Sequence, residues 1–435
     1  MTNKIPRVIV AGIGGFAVRH HEALYQLETE GLLKVCATCD PRLKKLETER
    51  RDFAFQERGV REFESFSEMI DTCGQNLGSR DWVSLATPIP CHEEMHRICS
   101  EKGIPCYLEK PPTLDPEALE RMIARDERGK YSTAVGFNFV SQAGRLALKR
   151  RLLDGEFGPI CEARFSGAWR RSFGYFSRSS WAGKIFLADR LVLDSCLGNG
   201  MSHHVHNLLF LCGTSGLNSW ASCKNLRSEL YAVSSEEGPD TIFVEGLLRE
   251  GPRIRLGLTN AYRDGESTLE ELYCDRAKIV IDPSRSIQID WKDGRTEYIP
   301  LSRKFPLEYN FREFMEFLDD ERDRPPTTLQ DCRGLIHLNA MAFIAGRSIH
   351  RVDQCDYETI PASAVEKSVR YIPQIWETIR DFVDTGGFPS QVGCAWGRAG
   401  GFANDGDVAQ IEERARNLKD SASGSFENGG NRNGR

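Results

Sequence analysis

Three of the chain's nine histidines fall within four positions, in the stretch LGNGMSHHVH at 197–206. Imidazoles so close together can hold a metal, move a proton, or sit as polar residues at a helix end. His203 and His206 are three apart and can share a helix face, whereas His204 points about 100° away on a helical period. Two ligands on one face need a third from elsewhere, and no HExxH pattern or second cysteine pair supplies one, so no metal site is expected. Cys36-Ala-Thr-Cys39 has the CxxC spacing but lies in the apolar run LLKVCATCD. There it reads as a buried strand with two small apolar thiols.

Two other places carry chemistry. Lys110, in YLEKPP, closes an apolar run. A lysine beyond the carboxyl end of a strand in an open α/β sheet faces the ligand crevice, where it can bond a reacting hydroxyl and stabilise alkoxide charge. Near the N-terminus, Gly12-Ile13-Gly14-Gly15-Phe16-Ala17 follows the apolar run VIVA. This GxGxxA turn lets the backbone approach a pyrophosphate at a helix N-terminus. Asp40 ends the next apolar run, roughly twenty residues on, where a carboxylate bonds the ribose hydroxyls and repels a 2′-phosphate. NAD is therefore expected as cofactor, with Arg42 leaving NADP as the lesser option.

The elements that position these groups alternate over the first third. Strand candidates lie at 7–12, 32–40, 60–63, 82–88, 105–111 and 132–137, separated by helical patterns that include a charged helix at 41–58. Such βαβ alternation predicts a parallel sheet covered on both faces. Beyond it the strand-rich runs ICEARFSGAW, TIFVEGLL, RIRLGLTNA, ELYCD, AKIVID, SIQIDW and EYIP have tight connections, which predict antiparallel pairing. Helical patterns return at 310–322, 331–346 and 365–383. The expected organisation is a dinucleotide-binding domain over 1–138, a substrate-binding and oligomerisation α/β domain over 139–390, and a disordered tail over 391–435 holding at most a short helix at 407–419.

Taken together, the GxGxxA turn, Asp40, SLATPIPCH (84–92) and Glu109-Lys110-Pro111 resemble, in order and spacing, the Gfo/Idh/MocA oxidoreductases. The resemblance implies a Rossmann doubly wound parallel sheet followed by an α/β domain with a large, open, mostly antiparallel sheet. It implies NAD(P)-dependent oxidation or reduction of a hydroxyl-bearing carbon of a sugar or polyol, and assembly as a homodimer or homotetramer. By position, Gly12, Ile13, Gly14, Gly15, Phe16, Asp40 and Arg42 would hold the adenosine side of the cofactor. Thr87, Pro88 and His92 would lie along the nicotinamide, with Glu109 and Lys110 at the reacting centre and Asn138 near the substrate. Family members carry DxGxHxxD in the second domain. Here the matching positions are Asn199, Met201, His203 and His206, so His203 is the expected proton carrier. Asn199 stands where the family has an acid, and a neutral amide orients an imidazole without raising its basicity. Asp194 is the alternative source of charge.

Composition bounds the rest. The chain has 435 residues, a net charge of −6 and fourteen cysteines scattered through apparent strands and helices. That balance offers no field for nucleic acid or an anionic membrane, and the scattered thiols suit a reducing cytoplasm. The glycine-broken apolar run at 8–18 does not read as a signal peptide. The stretch WRRSFGYFSRSSWAGK (169–184) mixes aromatic and basic residues, of which Arg170 and Trp181 are candidate substrate contacts. A nucleotide-binding sensor or partner protein with little turnover is the alternative to an enzyme, motivated by Asn199 and by Val140, which follows Asn138-Phe139.

Overall fold

The apolar runs of the first third become six strands because each is short, carries a β-branched or aromatic residue and is bounded by loops. In the computed structural model, which describes residues 5–302 and 307–427 (the last eight by backbone alone), these are β1 (Arg7–Ala11), β2 (Lys34–Cys39), β3 (Arg61–Phe63), β4 (Trp82–Leu85), β5 (Cys106–Leu108) and β6 (Ala134–Val135). They pair in parallel in the order β3-β2-β1-β4-β5-β6. The order reverses between β1 and β4, which opens a crevice at the carboxyl ends of those strands. Val8, Ile9, Val10 and Ala11 are fully buried, as a sheet covered on both faces requires.

The chain divides into two compact units. The first takes in residues 307–332 as well as the N-terminal stretch. A linear boundary near 138 does not contain this return. Its physical cause is aromatic: helix Leu307–Leu318 sets Phe311 4.8 Å from Tyr107 and 5.2 Å from Trp82, ring to ring, and Phe314 5.4 Å from Trp82. These rings join the core beneath β1, β4 and β5.

The second unit is built on β7 (Ile160–Arg170), β8 (Cys223–Ala232), β9 (Thr241–Leu248), β10 (Arg253–Thr259), β11 (Ala261–Cys274), β12 (Ala277–Asp282), β13 (Ser286–Trp291), β14 (Thr296–Pro300), β15 (Ile349–Arg351) and β16 (Gly401–Asn404). Among the described residues they form one sheet in the order β14-β13-β12-β11-β7-β10-β9-β8-β15, with β16 also on β8. Pairing is antiparallel except at β7–β10 and β8–β15. Helices Ser202–Cys212, Arg333–Gly346 and Ile375–Thr385 pack on it. No helix among the described residues is long and apolar enough to cross a membrane.

Three sequence expectations are corrected. The charged helix at 41–58 is a 3₁₀ turn and two short helices, Glu47–Asp52 and Phe55–Arg58, broken where Ala54 takes a φ of +48°. The helix over 365–383 begins only at Ile375, because Gln374 after Pro373 has a φ of +57° and Val369–Tyr371 is extended. The tail from 391 is not disordered over the described residues. Gly401–Asn404 adds a strand to β8, and Val408, Ile411, Ala415 and Leu418 form a buried helical stripe.

Candidate active site

Gly12 follows β1 with a φ of +102°, and its N–H donates to the Cys39 carbonyl at 2.8 Å. A Cβ there would stand 2.4 Å from the Ala86 carbonyl oxygen, so only glycine lets β1, β2 and β4 converge. A Cβ on Gly15 would meet nothing within 4 Å, so the turn's outer side is open. Phe16 is exposed and leads into helix Ala17–Thr29, whose N-terminus thus faces the carboxyl end of β1. Asp40 is buried at the end of β2 and held by backbone: Ile13 N–H donates to its Oδ2 at 3.3 Å and Arg42 N–H to its Oδ1 at 2.9 Å. Arg42 Nε adds a 3.4 Å contact from an exposed side chain. Glycine turn, helix N-terminus and fixed carboxylate fit the pyrophosphate and ribose of a dinucleotide.

Lys110 follows β5, and its N–H donates to Glu109 Oε2 at 3.0 Å. The other Glu109 oxygen lies 3.0 Å from His20 Nε2, and His20 Nδ1 lies 2.7 Å from Ser84 Oγ. His20 is fully buried on the first helix, so a chain of polar contacts runs from β4 through the helix to the lysine's own backbone. His21, next to it, donates to the Gly12 carbonyl at 3.0 Å. Burial drives its pKa down to about 3, so the ring that braces the glycine turn is neutral.

Thr87 and Pro88 lie on the loop after β4, Thr87 half-buried and Pro88 exposed. His92 is placed otherwise than expected. It is wholly buried, its Nε2 2.7 Å from the Thr87 carbonyl and its Nδ1 3.1–3.2 Å from those of Pro112 and Pro111. Burial outweighs these carbonyls and holds its pKa below the usual value. Both nitrogens face backbone carbonyls and the neutral ring donates from one of them, so His92 braces the lysine loop. Asn138 lies just beyond β6 with its Oδ1 buried and unpartnered among the described residues.

In the second unit, Cys196–Gly200 is a wide π-type turn feeding helix Ser202–Cys212. Asn199 Nδ2 donates to Asp194 Oδ1 at 2.8 Å, and Gly183 N–H donates to Asp194 Oδ2 at 2.6 Å. Asp194 and Asn199 therefore act as one unit. His203 is half-exposed. His204 and His206 are buried: His204 stacks on Phe165 at 4.9 Å and His206 packs 5.4 Å from Trp220. His204 Nδ1 lies 2.7 Å from Glu270 Oε1, and Arg145 and Asn207 donate to the same carboxylate at 2.6–3.1 Å. Burial alone would raise the Glu270 pKa, but Arg145 and then His204 hold it down at about 2. No cluster of three metal-ligating side chains occurs among the described residues.

Arg170 is corrected as a substrate contact. Its guanidinium pairs with Glu366 at 2.7 Å and donates to the Arg263 carbonyl at 2.9 Å. Trp181 stays half-buried with Arg178 over its ring at 5.2 Å. Cys36 and Cys39 sit in β2 as free thiols, and burial raises their pKa values to about 11 and about 12. Sequence reasoning missed His20, His21 and Glu270. The first two carried a signal, because they fall on the apolar stripe of their helix with Ala17, Leu24 and Leu27.

Residues 6–137 match the model of an oxidoreductase family with an NAD-binding Rossmann fold, GFO_IDH_MocA. Inositol 2-dehydrogenase of Rhodococcus jostii (strain RHA1) is 38% identical over 81 residues, 18% of this chain and 22% of that protein. The matched stretch thus spans about a fifth of that relative. Among solved structures, the WlbA dehydrogenase from Bordetella pertussis in complex with NADH and UDP-GlcNAcA superposes with a TM-score of 0.64 at 17% identity, over 79% of this chain and 97% of its own. An oxidoreductase from Agrobacterium radiobacter, in complex with NAD+, L-tartaric acid and magnesium, gives 0.63 at 17% identity over 79% and 96%. At these identities the likeness shows the fold.

Proposed function

We propose that this chain, whose residues 6–137 match the NAD-binding Rossmann model of the Gfo/Idh/MocA oxidoreductases, is an NAD(H)-dependent dehydrogenase of that family. It moves a hydride between nicotinamide and a hydroxyl-bearing carbon of a sugar or polyol. The observation that carries the reading is Lys110, at the carboxyl end of β5 with its backbone fixed by Glu109 and His20. Beside it the glycine turn and Asp40 form a cradle that fits a dinucleotide.

The cofactor supplies the hydride acceptor. Gly12–Phe16 and Asp40 would hold its pyrophosphate and ribose, and Thr87 and Pro88 would flank its nicotinamide. Lys110 bonds the substrate hydroxyl and stabilises the charge that develops as its proton leaves. His203, on the second unit, is the proposed carrier of that proton, and the Asn199–Asp194 bond fixes the turn that precedes its helix. The protein acts in the cytoplasm as a homo-oligomer. The test is absorbance at 340 nm across sugars and polyols with NAD+. Turnover that Lys110→Met abolishes while NAD+ still binds supports the reading. NAD+ binding without turnover on any substrate replaces it with a nucleotide-binding sensor.

A further inference from the structure

Between the end of β7 and the histidine helix, aromatic rings and guanidinium groups alternate as a ladder. Arg171 lies over Trp169 at 4.7 Å and over Tyr175 at 5.3 Å, and Arg178 lies over Tyr175 at 3.7 Å and over Trp181 at 5.2 Å. The ladder abuts the turn before His203. A Cβ on Gly200 would stand 3.8 Å from both the Tyr175 hydroxyl and the Trp169 ring. Burial, then the charge of Asp194, raise the Tyr175 pKa, so its hydroxyl stays protonated and able to donate.

Hydrogen bonding in this segment is one-sided. Trp169 Nε1, Arg171 Nε, Ser179 Oγ and Trp181 Nε1 are buried and find no partner among the described residues. Buried polar atoms are nearly always partnered, and four such atoms within thirteen residues need an explanation. Indole and guanidinium nitrogens only donate, so what satisfies them is rich in acceptor oxygens. Charge points the same way. Arg170 is neutralised by Glu366, Arg171 by Glu266, and Lys184 by Glu236 and Glu237. Arg178, which is exposed, has no carboxylate partner among the described residues.

We propose that the Trp169–Trp181 segment is a recognition subsite for an anionic sugar, with aromatic faces against the ring, indole and guanidinium donors on its oxygens, and Arg178 on a carboxylate or phosphate. The placement beside His203 rests on the dehydrogenase reading; the binding does not.

Isothermal titration of the full chain saturated with NADH tests it, using glucuronate, glucose 6-phosphate and neutral glucose. Either anion should bind at least about tenfold more tightly than glucose, the worth of one charge-assisted hydrogen bond. Whichever anion binds identifies the group as carboxylate or phosphate. Arg178→Gln should remove the preference and leave the NADH affinity unchanged. Trp181→Phe, which keeps a ring and loses the donor, should weaken binding of both anions and of glucose. Equal affinity for charged and neutral sugars, an unchanged preference in Arg178→Gln, or no sugar binding at all would overturn the subsite. Anion binding that depends on Arg178, with no change at 340 nm when NAD+ replaces NADH, leaves the subsite standing and removes the dehydrogenase reading.

Discussion

His20 and Glu109 meet across the first unit, ring nitrogen to carboxylate oxygen at 3.0 Å, on a helix and a strand end 89 residues apart. The contact ties the helix that begins at the glycine turn to the residue before Lys110. Two parts of one site are thereby set by one hydrogen bond. Replacing His20 with alanine leaves the buried Glu109 oxygen unpaired, which costs about 1–3 kcal/mol. A lower melting temperature is expected, with kcat reduced more than the affinity for NAD+. His20→Gln should restore part of kcat, which a purely structural residue would not show.

Gly12→Ala places a methyl group against the Ala86 carbonyl, at a backbone angle that alanine rarely adopts. The variant is expected to lose the thermal stabilisation that NAD+ gives the native protein. A thermal shift equal to that of the native chain would show that the turn does not hold the cofactor.

Asp40→Ser removes the carboxylate that bonds the ribose and repels a 2′-phosphate, with Arg42 left beside it. NAD+ affinity should fall about tenfold, and the ratio of NADP+ to NAD+ affinity should rise. Fluorescence titration of both cofactors measures this.

Stability should fall on the acid side. His21 is neutral in the fold with a pKa near 3, against 6.5 for the free side chain. Between these values the unfolded chain binds a proton that the folded chain does not, so stability is full above about pH 6.5 and declines towards pH 3. Glu270, near 2 in the fold against 4.5, adds a loss below about pH 4.5. Urea unfolding across this range should show a shallower decline near pH 5 in His21→Asn than in the native protein.

The two histidines separate by role. His203→Asn should lower turnover and alter the pH–rate profile with little change in melting temperature. His204→Asn should lower the melting temperature by removing a partner of the buried Glu270–Arg145 pair. If His204→Asn instead reshapes the pH–rate profile while the fold holds, the proton passes through the His204–Glu270 pair.

The parallel sheet and the glycine turn were legible in the sequence because their signals are local: apolar run, glycine spacing, and an acid at the next strand's end. The second sheet was legible as strands but not as an order, since the parallel pairing of β7 with β10 depends on partners about ninety residues apart. His92 could be placed on its helix but not on its ring, because whether an imidazole faces a crevice or three carbonyls is decided by tertiary packing. Arg170 looked available for the same reason: Glu366, which occupies it, is 196 residues away. The histidine cluster was read from spacing alone, and no spacing rule connects His204 to Glu270.

The return of helix Leu307–Leu318 to the first unit sets the order in which this protein can mature on the ribosome. Trp82 and Tyr107 emerge early, but the rings that cover them, Phe311 and Phe314, arrive only after most of the second unit has been made. The nucleotide-binding unit therefore waits, with an apolar face uncovered, for some two hundred residues of translation. A fragment cut at residue 138 would keep that face permanently open and should aggregate where the full chain stays dispersed.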